Sequence, residues 1–314
     1  MLVVLIGAAA AHVCAQAPAR VRWQNILDQP AAWYASSEAR SIADSVLRFQ
    51  RESGGWPKDV DMLEAPKTAP PARPDATIDN GATTTQIRLL SQVPGNAYRA
   101  AAIRGIDYLL AAQYPNGGWP QFYPLRDDYS RHITFNDNAM IDVVTIMEDV
   151  ARAKTPFDYV DAVRRSKAAE AVRRAVDVVL ASQVVVNGTL TAWCAQHDAV
   201  TLEPRPARAY EHVSLSGAET TGIVRFLMRQ PRTPEIERAV DAAVSWLRAV
   251  RQPDGQWARF YQIGTNKPIF SGRDGVIRYQ LAEVEEERRE GYAWLGTWPR
   301  NLVDKEYDRW KSAR

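Results

Sequence analysis

Two short segments concentrate acid and amide oxygens where a helix begins: Thr77-Ile78-Asp79-Asn80-Gly81-Ala82-Thr83-Thr84 and Ile133-Thr134-Phe135-Asn136-Asp137-Asn138-Ala139-Met140. Either one alone reads as N-capping by Asp79 or Asn136. Two segments with several such oxygens each hold more than caps require, and these are the donors a hard cation such as calcium takes. Neither has the pattern of an EF-hand loop, so an ion would be shared between loops distant in sequence. Two further stretches are rich in arginine. One is Pro204-Arg205-Pro206-Ala207-Arg208-Ala209-Tyr210-Glu211-His212; the other holds Arg259, Tyr261, Lys267, Arg273 and Arg278. A guanidinium grips a carboxylate at two points. These arginines lie among proline, glycine and aromatic residues and are not spaced along a helix face. They fit either an acidic ligand or pairing with neighbouring acids.

The elements that would position these residues show a repeat. Gly54-Gly55-Trp56-Pro57, Gly117-Gly118-Trp119-Pro120 and Asp254-Gly255-Gln256-Trp257 each follow a glutamine that closes an apolar, helix-patterned run, and a degenerate copy runs from Gln183 through Gly188 to Trp193. The glutamines Gln50, Gln113, Gln183 and Gln252 recur at roughly 65–70 residues, enough for two helices and their connections. The turns between those helices would gather at one end of a helical ring. Apolar periodicity predicts helices over 36–51, 83–92, 97–114, 136–153, 162–183, 216–230, 233–251 and 303–312, with short strands within 189–194 and 257–263. The loop from Ser53 to Asp79 holds Pro57, Pro66, Pro70, Pro71 and Pro74 and can be neither helix nor central strand. Loops of that length in a compact domain are usually functional. Trp56, Trp119 and Trp257 are core plugs or platforms for sugar rings; sequence does not separate the two, although core packing is the safer reading for at least two of them.

Composition narrows the class. The chain has 314 residues and a net charge of +2, so it is no polycation, nucleic acid is not an expected partner, and an anionic ligand must be held by a local cluster. Met1 to Ala17 is apolar and alanine-rich and ends in Ala15-Gln16-Ala17, which reads as a secretory signal peptide. Its removal would take Cys14 and leave Cys194 without an intrachain partner, so stability must come from the core. No Cys or His pair has zinc-ligand spacing, and no later stretch is long and apolar enough to span a membrane.

At these residues the chain resembles the family 10 pectate lyases. The matching pieces are Gly54-Gly55-Trp56-Pro57-Lys58, Thr77 to Thr83, Asn116 to Gln121 with Phe135-Asn136-Asp137, Ala207-Arg208-Ala209-Tyr210-Glu211, Gly264 to Gly275, and Gly296-Thr297-Trp298-Pro299. They agree in order over nearly all of the chain beyond the signal segment. The resemblance implies an all-α fold, an α/α toroid of three helical hairpin pairs with long active-site loops, forming one catalytic domain over 18–314. It implies calcium-dependent β-elimination of unesterified polygalacturonate by a secreted, monomeric enzyme. Carried over, Asp79, Asn80 and Asp137 are calcium-site residues and Arg208 is the catalytic base. Arg273 and Arg300 bind substrate carboxylates, and Lys58, Arg205, Tyr261, Lys267 and Arg278 complete the expected substrate-binding set.

β-Elimination on a uronate removes the proton on C5, beside the carboxylate, and expels the oxygen on C4. Calcium and arginine would neutralise the carboxylate and stabilise the enolate-like charge that develops. Arginine is ordinarily protonated, so Arg208 as base requires desolvation beside the ion to favour its neutral form, and a basic pH optimum is expected. Three competing readings have distinct signatures. An inverting glycoside hydrolase would recruit two of Asp79, Asp137 and Glu211 and leave no unsaturated product. A non-catalytic calcium-dependent binder would hold the polymer without shortening it. A terpene-cyclase-like toroid would need an aspartate-rich motif that the chain lacks.

Overall fold

The computed structural model describes residues 21–313; the segment read as a signal peptide, with Cys14, lies outside them. The framework is seven helices: α1 (Ser37–Phe49), α2 (Thr84–Gln92), α3 (Asn96–Ala112), α4 (Ala139–Ala151), α5 (Ala162–Ala181), α6 (Glu219–Met228) and α7 (Pro234–Ala249). Local signals start several of them. The Ser36 hydroxyl accepts from Ala39 N–H, the Asp161 carboxylate from Arg164 N–H, and the Thr233 hydroxyl from Ile236 N–H with Pro234 as the first helical residue.

α2 packs with α3, α4 with α5, and α6 with α7. Across the pairs, α2, α4 and α6 touch in turn and form one row, and α1, α3, α5 and α7 form a second. Burial distinguishes the rows. α4 is buried on nearly every side, including Met140, Val143, Val144, Ile146 and Met147. α5 buries only a stripe of Ala168, Ala171, Ala175, Val178 and Val179, as an amphipathic outer helix does.

The repeat glutamines stitch the outer row together. Gln50 Nε2 donates to Gly54 O in its own turn (2.8 Å) and to Ala101 O of α3 (2.9 Å). Gln113 does the same with Gly117 O (3.0 Å) and Ala171 O of α5 (2.9 Å). Gln183 bonds Thr191 O and Ala239 O of α7, both at 3.0 Å. Gln252 follows the last helix of the row, and its buried Nε2 has no hydrogen-bond partner among the described residues. Each turn also plants a tryptophan in the core. The indole N–H of Trp56, Trp119 and Trp257 donates to the carbonyl ten residues earlier, Val46, Leu109 and Leu247, and Trp193 bonds Val179 O. All four rings are fully buried, which settles them as core plugs. Glycine is required at Gly54 (φ +96) and Gly117 (φ +100): a Cβ there would sit against the backbone carbonyl of Arg104 or Arg174 on the next outer helix.

The loops that follow the later tryptophan turns make two-residue strands. Gln196–His197 pairs with both Ile133–Thr134 and Pro204–Arg205, Leu215–Ser216 pairs with Phe260–Tyr261, and Trp257–Ala258 pairs with Leu295–Gly296. These are shorter than the sequence suggests, because each strand serves only to bind one loop to the next. His197 is a structural clamp: its ring bonds Leu202 O and Cys194 N–H, and burial depresses its pKa to about 4. These strands, with the single bridges of Thr77 to Trp56 and Phe122, gather the loops ahead of α2, α4 and α6.

Candidate active site

The two oxygen-rich segments are kinks rather than simple caps. Asn80 (φ 51), Thr83 (φ 63), Asp137 (φ 50) and Asn138 (φ 60) all take positive φ, so the expected helical start at residue 136 is delayed to Ala139. Asn and Asp tolerate this region; a β-branched threonine does not. Thr83 is held there by its hydroxyl, which accepts from Trp56 N–H (2.9 Å) and donates to Thr77 O (2.8 Å). Thr77 in turn donates to Gln121 O (2.5 Å) and accepts from Asp79 N–H (3.1 Å). The Asp79 turn is therefore fastened to two tryptophan turns at once, and strain of this kind persists only where the surroundings over-determine it.

Asp79 is almost wholly buried, and its carboxylate accepts from Lys58 Nζ. The neighbouring Asn80 Nδ2 donates to Asp59 Oδ1 (2.9 Å). The turn 79–81 packs directly against the turn 136–138. There the Asp137 carboxylate accepts from Asn136 Nδ2 (2.6 Å) and Arg259 Nη2 (2.6 Å). The same Arg259 nitrogen donates to Glu219 Oε1 (2.5 Å), which also accepts from Asp137 N–H (3.2 Å), while Ser216 Oγ donates to Glu219 Oε2. Burial works against the charge on Arg259, but Glu219, Tyr292 and Asp137 outweigh it and raise its pKa.

Arg208 sits on the adjoining loop. Its Nε and Nη2 donate to the two oxygens of Glu211 (2.8 and 2.5 Å), and its guanidinium lies over Tyr210, 4.9 Å from the ring centre. Tyr292 OH donates to Glu211 (2.8 Å), and its ring lies under Arg259 at 5.1 Å. Tyr129, an exposed residue, lies in the fields of both Arg208–Glu211 and Lys58–Asp79. A polar track thus runs from Arg208 and Glu211 through Tyr292 to Arg259, Glu219 and Asp137, against whose turn the Asp79 turn packs, and Tyr129 lies in the field of both ends. A cleft of about 890 Å³ opens beside Lys58, bordered by Asp59, Asp75, Phe122 and Arg126. A smaller one of about 210 Å³ lies over Asp137, Glu219, Arg259 and Trp298.

Among the described residues no three Asp, Glu, His or Cys side chains converge into a self-sufficient metal cluster. What the abutting turns offer is two carboxylates, Asp79 and Asp137, with the buried Asn136 Oδ1 beside them lacking any partner. This all-oxygen set fits a hard cation that draws its remaining ligands from elsewhere, since such ions take six to eight oxygens.

A family model described as pectic acid lyase matches residues 50–256 and 248–303. The chain belongs to this family. A family 10 polysaccharide lyase from Cellvibrio cellulosa is 37% identical, with a TM-score of 0.79, covering 89% of this chain and 96% of that one. A mutant of family 10 polysaccharide lyase from the same organism, solved in complex with trigalacturonic acid, is 36% identical with a TM-score of 0.80, covering 88% of this chain and 95% of that one. No curated protein matches the chain.

The remaining cations of this pectic acid lyase are dispersed. Arg205 bonds Asp198 (3.1 Å), Arg273 grips Glu287 with two bonds (3.0 and 2.9 Å), and Arg278 grips Asp274 (3.0 and 2.7 Å). Pairing with neighbouring acids, one of the two readings left open by the sequence, describes all three. Arg273 lies within the field of Tyr210 and so beside the Arg208 loop. Lys267 is exposed, 5.6 Å from the Tyr279 ring centre, and Arg300 reaches Gly255 O on the last tryptophan turn (3.4 Å).

Tyr261 is a correction. Expected to touch substrate, it is 1% exposed, packs edge-on against Trp246, donates to Val250 O (3.0 Å) and accepts from Ala258 N–H (2.8 Å). Both residues of its two-residue strand face protein, so alternation does not turn it outward. Tyr261→Phe is expected to leave KM unchanged while costing about 1–3 kcal/mol of stability, because a buried N–H loses its acceptor. Urea unfolding beside steady-state kinetics checks both halves. The expected desolvation of Arg208 is also outweighed: the bonds it donates to Glu211 raise its pKa more than burial lowers it.

Glu219 and Tyr292 are site residues that sequence reasoning did not single out, and Arg259, noted only as part of an arginine-rich stretch, was given no role at the acid site. Ser216-Gly217-Ala218-Glu219 has the spacing of a capping box, which is a sufficient reason for a glutamate there and conceals its second role.

Proposed function

We propose that this pectic acid lyase cleaves unesterified α-1,4-linked polygalacturonate by calcium-dependent β-elimination. We take the two rows of helices as the walls of an α/α toroid of three hairpin pairs, with the site at its loop end. The observation that carries the reading is the convergence of Asp79, Asp137 and Arg208, distant in sequence, on one polar track in a chain of this family. The trigalacturonic acid held by the related lyase supports the choice of substrate.

In this reading Asp79 and Asp137, helped by Asn80, hold calcium, which when bound would neutralise the uronate carboxylate and acidify C5–H. Arg208 accepts the C5 proton. Glu211 fixes the guanidinium plane with two bonds, and the Tyr210 and Tyr292 rings flank it. Lys58 at the cleft, and Arg273 beside the Arg208 loop, supply positive charge to further carboxylates; Arg205, Lys267, Arg278 and Arg300 would act only at more distant sugars. An inverting hydrolase fits less well. It requires one carboxyl group to donate a proton, whereas Asp79, Asp137 and Glu211 each accept from a lysine or arginine. We further propose secretion as a monomer, with Met1–Ala17 removed and 18–314 forming one catalytic domain; among the described residues no helix is long and apolar enough to cross a membrane.

An absorbance assay on polygalacturonate tests reaction and cofactor together. The expected result is a rising ultraviolet signal from unsaturated product, abolished by chelation and restored by calcium. Chain shortening without that absorbance would establish hydrolysis. Full activity after exhaustive chelation would remove the metal role.

A further inference from the structure

Both acids of the candidate calcium site carry a protein cation, and the two cations are held very differently. Arg259 is locked. Its side chain is 8% exposed, and it is pinned by Glu219, whose own side chain is 1% exposed. Lys58 is not locked. Its side chain is 32% exposed, it sits on a flexible four-carbon stem at the edge of the large cleft, and its ammonium bonds Asp79 with Asp59 3.7 Å away. Lys58 Nζ is the one side-chain hydrogen-bond donor on the Asp79 carboxylate among the described residues.

We propose that Lys58 is a displaceable internal counter-ion, occupying the Asp79 carboxylate until calcium takes its place, and that the released ammonium turns into the adjoining cleft to meet an anionic sugar. The inference rests on the reading that Asp79 and Asp137 take calcium. Three pieces of physics support it. A nearly buried carboxylate needs a partner in the metal-free protein, and an ammonium within bonding distance supplies one. A divalent ion and an ammonium brought to the same carboxylate repel each other, so they compete. An ammonium driven off Asp79 toward the cleft gains by meeting a carboxylate there, so each ligand promotes the other, and the coupling is reciprocal. Lys58 would thereby weaken metal binding by the empty enzyme and reserve it for the enzyme engaged with polyuronate.

Calorimetric calcium titration of the substrate-free protein tests this, using wild type, Lys58→Met, Lys58→Gln and, as a control for general charge, Lys67→Met, which alters a cation lining the same cleft. Both Lys58 variants should bind calcium roughly 5-fold or more tighter than wild type, and Lys67→Met should not. Repeating the titrations with trigalacturonate present should show a smaller gain in calcium affinity for the Lys58 variants than for wild type. Thermal unfolding confirms that each variant is folded, and the glutamine keeps a neutral donor for Asp79 where methionine leaves it bare. Unchanged or weaker calcium binding in both folded Lys58 variants overturns the proposal while leaving the calcium reading intact. Equal tightening in Lys67→Met overturns it as well, by showing a general field effect. Absence of calcium binding in every protein, with activity that survives chelation, overturns the calcium reading itself and the proposal with it.

Discussion

Arg208→Ala is expected to lower kcat on polygalacturonate by about 10²–10⁴-fold, the usual contribution of a positioned acid or base, with a smaller change in KM. The pH profile is the sharper test. Glu211 holds the Arg208 guanidinium in its charged form, with a pKa above the ordinary arginine value. A base must be neutral to accept a proton, and the neutral fraction of a group far below its pKa rises tenfold per pH unit. Activity should therefore climb with pH into the alkaline range without reaching a plateau before the protein unfolds. Arg208→Lys offers a base with an ordinary pKa near 10.4. Its residual activity should bend toward a plateau at high pH where the wild type does not. Steady-state rates of both proteins across neutral to alkaline pH, corrected for unfolding, decide the matter. Undiminished activity of Arg208→Lys at neutral pH would exclude Arg208 as the base.

Arg259→Met should be the most destabilising single change at the site. Removing one member of a buried pair leaves the other charge uncompensated, at a cost of about 3–5 kcal/mol. Here the stranded group is Glu219, and Asp137 loses its anchor at the same time. Adding Glu219→Gln should recover part of that loss. The amide keeps an oxygen for Asp137 N–H and can still bond Ser216, but carries no charge to strand. Denaturant unfolding of the two single variants and the double measures the coupling directly. A double variant no more stable than Arg259→Met would show that the Arg259–Glu219 contact is not what holds this corner together.

Much of the framework was legible in the sequence, because its signals are local. The glutamine that ends each outer helix bonds the carbonyl four residues on in two of the repeats, and the tryptophan that follows bonds the carbonyl ten residues back in three of them. Bonds of fixed sequence separation leave a period behind, and amphipathic stripes such as that of α5 leave another. The two acid-and-amide segments were legible for the same reason: unusual residue types had collected where helices begin. Their backbone was not. Positive φ at Asn80, Thr83, Asp137 and Asn138 displaces the helix starts; the first turn is held by the anchoring of Thr77 and Thr83 to two other turns, and the second by the bonds of Asp137 to Glu219 and Arg259.

By itself, then, the sequence determined the repeat, the helix faces, the residue types available for chemistry and the family they belong to. Tertiary structure alone decided which of those residues meet. Arg259 finds Glu219 at a separation of 40 residues and Asp137 at 122, and Tyr292 finds Glu211 at 81. Tyr261, in the same stretch as Arg259, turns into the core instead. The physical reason is that a contact between loops is set by how the intervening helices stack, not by any spacing along the chain. Two residues near each other in one motif can therefore end one at the site and one in the apolar core, while charges more than a hundred positions apart share a bond.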